Sequence, residues 1–236
     1  MRAIRCSFFQ MLAAMRRDLM LFAACLGPFL IGFVFRFAIP PLEAGLRDRL
    51  SRSAVLSPYY GLMDIFFSML CPAMFCFASA MVSLEEADEK TAAYLFVTPL
   101  GKKSYLFARL GLPSLAAFLI TVALLPVFRL TSLSLSDILL LAAEGALQGM
   151  ILSLLILTLS SNKLEGMAVA KLSSLIIFGA VIPFFIRNRV QYGIAFLPSF
   201  WAGKAILENM PLTMLPAFGL SALWISLLFR RYLRKI

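Results

Sequence analysis

Apolar runs long enough to cross a bilayer alternate with short polar breaks along almost the whole chain. They cover about Leu19 to Phe35, Tyr60 to Ser83, Ser104 to Phe128, Asp137 to Leu159, Leu172 to Ile186 and Leu212 to Phe229. Roughly 20 apolar residues in a helix span the hydrocarbon of a membrane. A transmembrane β-barrel would alternate in shorter segments. The expected fold is therefore all-α and integral to a membrane, with six transmembrane helices in a single domain over residues 1–236. Before the first run, residues 1–18 place Ile4, Phe8, Met11, Leu12 and Met15 at helical spacing beside Arg2, Arg5, Arg16 and Arg17. That pattern predicts an amphipathic interfacial helix, although an ordinary charged tail carries similar residues.

The breaks are Arg36 to Ser57, a charged block from Ser83 to Lys103, Arg129 to Ser136, a polar turn from Ser160 to Lys171, and Arg187 to Pro211. The last contains an apolar piece with Pro198 and Trp201, which reads either as a helix dipping back from the surface or as an amphipathic loop helix. Leu19 to Phe35 is long for a signal core and no small-residue cleavage site follows it, so it is expected to stay as a span.

Composition supports this class: 61% of the 236 residues are hydrophobic and 14% charged, where a soluble domain has about a quarter charged. The net charge of +10 is spread over span ends, which suits membrane orientation and anionic headgroups rather than nucleic acid. With both termini inside, 14 of the 22 basic residues fall on the inner side. This places the termini and the charged block in the cytoplasm of a cell (inner or plasma) membrane. There is no histidine, which excludes His-based triads and relays and zinc protease motifs. The cysteines have no metal-ligand or redox spacing. No phosphate-binding glycine loop is present, so the chain is expected to bind no cofactor and to have no ATPase site of its own.

Two polar features stand out inside the apolar runs, apart from Asp64 near the start of the second. Glu144 sits within the fourth, with Gln148 one turn later and Gly145 and Gly149 beside them. An ionisable group at mid-span costs roughly 2.5–3.5 kcal/mol, so Glu144 should face protein or water. One reading is a polar patch lining a substrate path. The other is a helix-packing hydrogen bond, or a partnership with a cation such as Arg109. Arg109 itself, near the start of the third run, is expected to snorkel to the interface.

The charged block carries Glu85, Glu86, Glu89, Lys90 and Thr91, then Tyr94, Leu95, Thr98, Pro99 and Leu100, then Tyr105 and Arg109. This series resembles the signature of type-two ABC transporter permeases, in which the second span ends in a Glu-rich turn followed by Thr-Pro-Leu and Tyr. Pro198 and Trp201 before the last span are similar to an outer element of that family. Ala92 or Ala93 stands where the family often has Gly, and Arg109 where it often has Lys. The resemblance in plan covers the whole chain; the specific motif covers only about Leu84 to Arg109. The compact length is similar to small drug- or peptide-export permeases, fluoroquinolone exporters among them.

The resemblance implies a permease subunit of an ATP-driven exporter. A separate ABC ATPase, in two copies, would hold ATP and Mg. A second permease chain, identical or homologous, would complete the pathway alongside membrane lipid. The block would form a cytoplasmic coupling helix using Glu85, Glu86, Glu89, Lys90, Thr91, Tyr94, Leu95, Thr98 and Pro99. The acids suit basic ATPase residues, and Tyr94, Leu95 and Phe96 suit an apolar pocket. The substrate would be an amphipathic drug, peptide or lipid-like molecule passing Glu144 and Gln148. The alternative is a secondary transporter or channel driven by an ion gradient, which calls for carboxylates near the midplane.

Overall fold

The computed structural model describes residues 2–50, 53–91, 94 and 101–235, and among them there are helices and no strands. The α-helices among the described residues include α1 (Arg2–Arg17), α2 (Leu19–Phe37), α3 (Ile39–Leu50), α4 (Tyr60–Asp88), α5 (Gly101–Leu106) and α6 (Leu112–Phe128). They continue with α7 (Leu135–Leu159), α8 (Lys163–Ser173), α9 (Ile182–Phe185), α10 (Pro198–Glu208) and α11 (Leu215–Lys235). Six helical stretches are long and apolar enough to cross a membrane: Leu19–Leu50, Ser57–Asp88, Lys103–Phe128, Leu135–Leu159, Lys163–Phe185 and Pro211–Lys235. The protein is an all-α, multi-pass membrane protein.

The second and fourth spans form the centre. Each has 72% of its most apolar window buried, against 17% for the first and 22% for the sixth. Gly145 and Gly149 on α7 explain the close contact with α4: a Cβ on Gly145 would lie 2.1 Å from the Ser68 carbonyl oxygen, and one on Gly149 2.9 Å from that of Pro72. The small-xxx-small pair thus removes the side chains that would keep the two backbones apart. α1 tucks Met11 and Met15 into the core and leaves Phe9 exposed.

Several boundaries differ from the hydropathy reading. The polar stretch Arg36 to Ser57 is largely helical, as α3, with the Glu43 carboxylate accepting from the Val55 and Leu56 amides at 3.0 and 2.6 Å. The apparent polar turn Ser160 to Lys171 is mostly the start of the fifth span. Asn162 caps α8 by accepting from the Glu165 amide at 2.9 Å, and Glu165 accepts from the Ser161 amide at 2.7 Å. This reciprocal capping lets a polar sequence begin a helix. The span then tightens into a 3₁₀ segment, Ser174–Val181.

The piece around Pro198 and Trp201 is α10, packed on that 3₁₀ segment. A Cβ on Gly203 would lie 2.4 Å from the Ala180 carbonyl oxygen, and Ser199 donates to the Ile176 carbonyl at 2.5 Å. Asn209, at φ 52°, ends α10 in the left-handed conformation that asparagine tolerates. At the opposite end of the bundle the C-terminal helix closes on the end of the fourth span. The Lys235 ammonium donates to the Leu157 carbonyl at 2.9 Å and to that of Ser160.

Candidate functional site

The same end of the bundle is organised by the acids that close α4. Glu86 turns inward, accepting from the Tyr105 hydroxyl at 2.8 Å and from Arg109 Nε at 2.9 Å, while Arg109 Nη2 completes a two-pronged ion pair. Arg109 Nη1 donates to the Ser7 carbonyl of α1 at 2.9 Å, and its own carbonyl accepts from Ser79 of α4 at 2.5 Å. The guanidinium is 1% exposed. Arg109 therefore does not snorkel to the interface, and its partner is Glu86 rather than Glu144. It lies within a π-helical stretch, Phe107–Gly111, between α5 and α6. Such widened turns recur at functional positions of helices. A buried guanidinium is tolerable only with its donors met, and the fork geometry of arginine meets a carboxylate with two of them.

A second knot lies beside the first. The Lys163 ammonium, at the start of α8, bridges Asp18 at 2.7 Å and Glu85 at 3.1 Å. The Lys163 amide donates to Asp88 at 3.2 Å. Asp18 also caps α2, accepting from the Met20 and Leu21 amides at 2.9 and 3.2 Å. The hydrogen bond from Lys163 is the main reason its carboxyl is held below the usual value; the capping amides add to it, against the opposing effect of burial. Together the knots tie α1, α2, α4, α8 and the start of the third span.

Beyond them, Glu89, Lys90, Thr91 and Tyr94 are exposed. Thr91 donates to the Glu86 carbonyl at 3.0 Å, and Lys90 takes a left-handed backbone, φ 59°, where the helix stops. Leu95, Thr98 and Pro99 lie outside the described residues. Of the acids expected to face a partner, Glu85 and Glu86 are engaged inside the chain, while Glu89 remains at the surface. A groove of about 610 Å³ runs between α1 and α4, lined by Gln10, Arg17, Asp18, Glu85, Glu86 and Glu89 among others.

Glu144 lies deep in the bundle. It is fully buried, and Oε1 accepts from Gln148 at 3.1 Å and from Ser221 of α11 at 2.9 Å, while Oε2 has no hydrogen-bond partner among the described residues. Gln148 lines a small cavity with Ser173 and Ile176. That cavity shares Ala73, Leu152 and Ile177 with an apolar groove of about 460 Å³ between the first, second and fifth spans. Gln148 is thus one layer of side chains behind the groove. At the far end Asp64 takes no part in this. Its carboxylate accepts from the Leu130 and Thr131 amides at 2.8 and 2.9 Å and from the Thr131 hydroxyl at 2.5 Å, pinning the loop between the third and fourth spans.

The Asp18–Lys163 pairing and the role of Ser221 were not foreseen. Asp18 carried a readable signal, an acid directly before the apolar run of α2, which is a helix-capping position. Ser221 carried none.

The comparison that decides kinship spans nearly the whole chain. Residues 11–233 match the model of the Rv2686c-like family, described as fluoroquinolones export permease proteins. The chain belongs to this family. Two curated relatives, the fluoroquinolones export permease proteins Rv2686c and MT2760 from two strains of Mycobacterium tuberculosis, are each 26% identical over 187 residues. The alignments cover 75% of this chain and 73% of each relative. No solved structure matches it.

Proposed function

We propose that this Rv2686c-like family member is the membrane subunit of an ATP-driven ABC exporter that moves amphipathic molecules out of the cell. The observation that carries the reading is the cap of α4. Inside it, Glu86 and Arg109 bind the helix end to α1 and the third span, and outside it Glu89, Lys90, Thr91 and Tyr94 are exposed. A push on that cap is delivered to the two central helices, because α4 packs on α7 through Gly145 and Gly149. Leu95, Thr98 and Pro99 follow in sequence. The membrane is the cell membrane, with both termini cytoplasmic, in line with the bias of basic residues. Fluoroquinolone export by the relatives, together with the apolar lateral grooves, supports an amphipathic drug-like substrate. The sparse burial of the first and sixth spans supports pairing with a second permease chain.

The test is capture of the ATPase. Tagged full-length chain, purified in mild detergent from its own host, should bring down an ABC ATPase subunit and its ATP hydrolysis. The double substitution Glu89→Lys with Leu95→Asp should release that subunit while membrane insertion persists. A buried acid with one oxygen unpartnered among the described residues, Glu144 Oε2, favours a second reading, ion-gradient-driven transport. Proteoliposomes containing the chain alone separate the two: substrate movement on an imposed proton or sodium gradient, with no ATPase present, establishes the second and removes the first.

A further inference from the structure

A separate groove, of about 660 Å³, opens between the third, fourth and sixth spans. Phe107, Leu110, Met150, Phe229 and Leu233 line it, and Lys103 is the one lining residue with a charge. It lies across α7 from the groove between the first, second and fifth spans, where Lys171 is exposed. Met150 lines the one and Leu152 the other, and two residues turn a helix by about 200°.

The mouth of this groove is basic. Lys103 begins the third span, and Arg230 and Arg234 follow the lining residues Phe229 and Leu233 at the end of the sixth. All three cations are exposed, and among the described residues no hydrogen bond or ion pair to them is found. The framing elements offer no acid to pair with them. Residues 101–128 and 211–236 contain none, and α7 has only Asp137 in its first turn and the buried Glu144. Glu86, behind the third span, is committed to Arg109. The floor is the π-helical turn itself: Phe107, Leu110 and Gly111 belong to the five residues Phe107–Gly111 that also carry Arg109. A Cβ on Gly111 would lie 2.8 Å from the Phe107 ring, so glycine there lets the ring fold onto the turn.

We infer that this groove is a binding site for an anionic glycerophospholipid, held as a resident of the complex rather than as cargo. Its phosphate pairs with Lys103, Arg230 and Arg234 at the level where span ends meet headgroups, and an acyl chain lies on Phe107, Gly111 and Met150. Basic clusters at the ends of neighbouring spans above an apolar cleft recognise lipid in this way. A second copy fits poorly, because a two-fold contact through this face would set one basic mouth against another and bring no acid. The chain rests against the turn that presents Arg109 to Glu86, so the lipid braces the same turn that ties down the end of α4. The site goes beyond the exporter reading and does not depend on it.

The test uses full-length protein, delipidated in mild detergent, and native mass spectrometry with phosphatidylglycerol or phosphatidylcholine of identical chains. The wild type should bind phosphatidylglycerol at least about tenfold more tightly, as expected for three cations near one headgroup. Lys103→Gln, Arg230→Gln and Arg234→Gln together should bring the two lipids within about twofold of each other. Arg5→Gln with Arg16→Gln, which removes exposed cations of α1, should leave the preference as it is. Leu233→Trp fills the groove without touching a charge, and should weaken phosphatidylglycerol at least about fivefold. Equal binding of the two lipids by the wild type overturns the proposal, as does a preference that survives the triple substitution. An equal loss in the α1 variant marks diffuse attraction to a basic protein and also overturns it. If the triple variant does not fold, seen as aggregation on gel filtration, the wild-type preference and the Leu233→Trp loss decide. The measurement needs neither ATPase nor transport, so its failure leaves the capture experiment untouched, and the reverse also holds.

Discussion

Arg109 holds Glu86 from inside the bundle: a guanidinium that is 1% exposed reaches a carboxylate that is 18% exposed, so the pair joins the buried third span to the last turn of α4. Removing one member leaves the other charge stranded, and such losses cost about 3–5 kcal/mol. Glu86→Ala should therefore destabilise the protein by about 3 kcal/mol, and Arg109→Met by less, since it leaves only the more exposed carboxylate behind. Glu86→Met with Arg109→Met together should recover part of the loss. Chemical unfolding in mixed micelles across the double-mutant cycle reads the coupling; additive effects would contradict the assignment.

The α4–α7 contact makes a graded prediction. Gly145→Ala brings a Cβ to 2.1 Å from a backbone oxygen, while Gly149→Ala meets Pro72 at 2.9 Å and Cys76 at 3.0 Å, and Gly219→Ala meets nothing within 4 Å. Neither backbone can yield cheaply, so Gly145→Ala should cost about 1–3 kcal/mol. Gly149→Ala should cost less, and Gly219→Ala should be neutral or slightly stabilising, as alanine is the better helix former. Apparent melting temperatures of the three variants in detergent test the order.

Asp18 supplies a pH dependence. Its carboxyl titrates below its ordinary value of 3.8 in the folded protein, chiefly through the Lys163 hydrogen bond. A depressed carboxylate pKa contributes stability that is full above the unfolded value and lost as pH falls through the folded one. The site is partly solvated, so the contribution is no more than about 1 kcal/mol. Asp18→Asn should lower stability at neutral pH by that order and flatten its decline below about pH 4. Unfolding curves of both proteins across that range check it, and identical pH profiles would count against the pairing.

Glu144 offers a contrast between substitutions. Glu144→Ala removes the acceptor of Gln148 and Ser221 and leaves a cavity between α7 and α11, for which about 2–4 kcal/mol is expected. Glu144→Gln keeps the shape and an acceptor, and should stay within about 1 kcal/mol of the wild type. Thermal unfolding separates the two, and substrate efflux by the well-folded Glu144→Gln tells whether the carboxylate itself is needed.

What was legible in the sequence followed from the solvent. A bilayer demands long apolar helices with satisfied backbones, so hydropathy alone was enough for the all-α class and for the six spans. It was not enough for the ends of those spans. Ser160 to Lys171 looks polar because capping residues and an amphipathic first turn are polar, and only the bonds of Asn162 and Glu165 make it helix.

The deepest difference concerns the charges. In sequence the acids of the α4 cap form one undivided block, and Arg109 and Lys171 look alike as cations a few residues inside a span. Which acid turns inward, and which cation finds a partner, depends on residues far away in the chain: Ser7 and Tyr105 around one pair, Asp18 and Lys163 around the other. Residue types and their spacing along one helix determined that these groups had to avoid lipid. Only helix packing, which brings distant carboxylates within reach of some cations and not of others, decided that Arg109 is locked, Lys163 shared and Lys171 left facing an apolar groove.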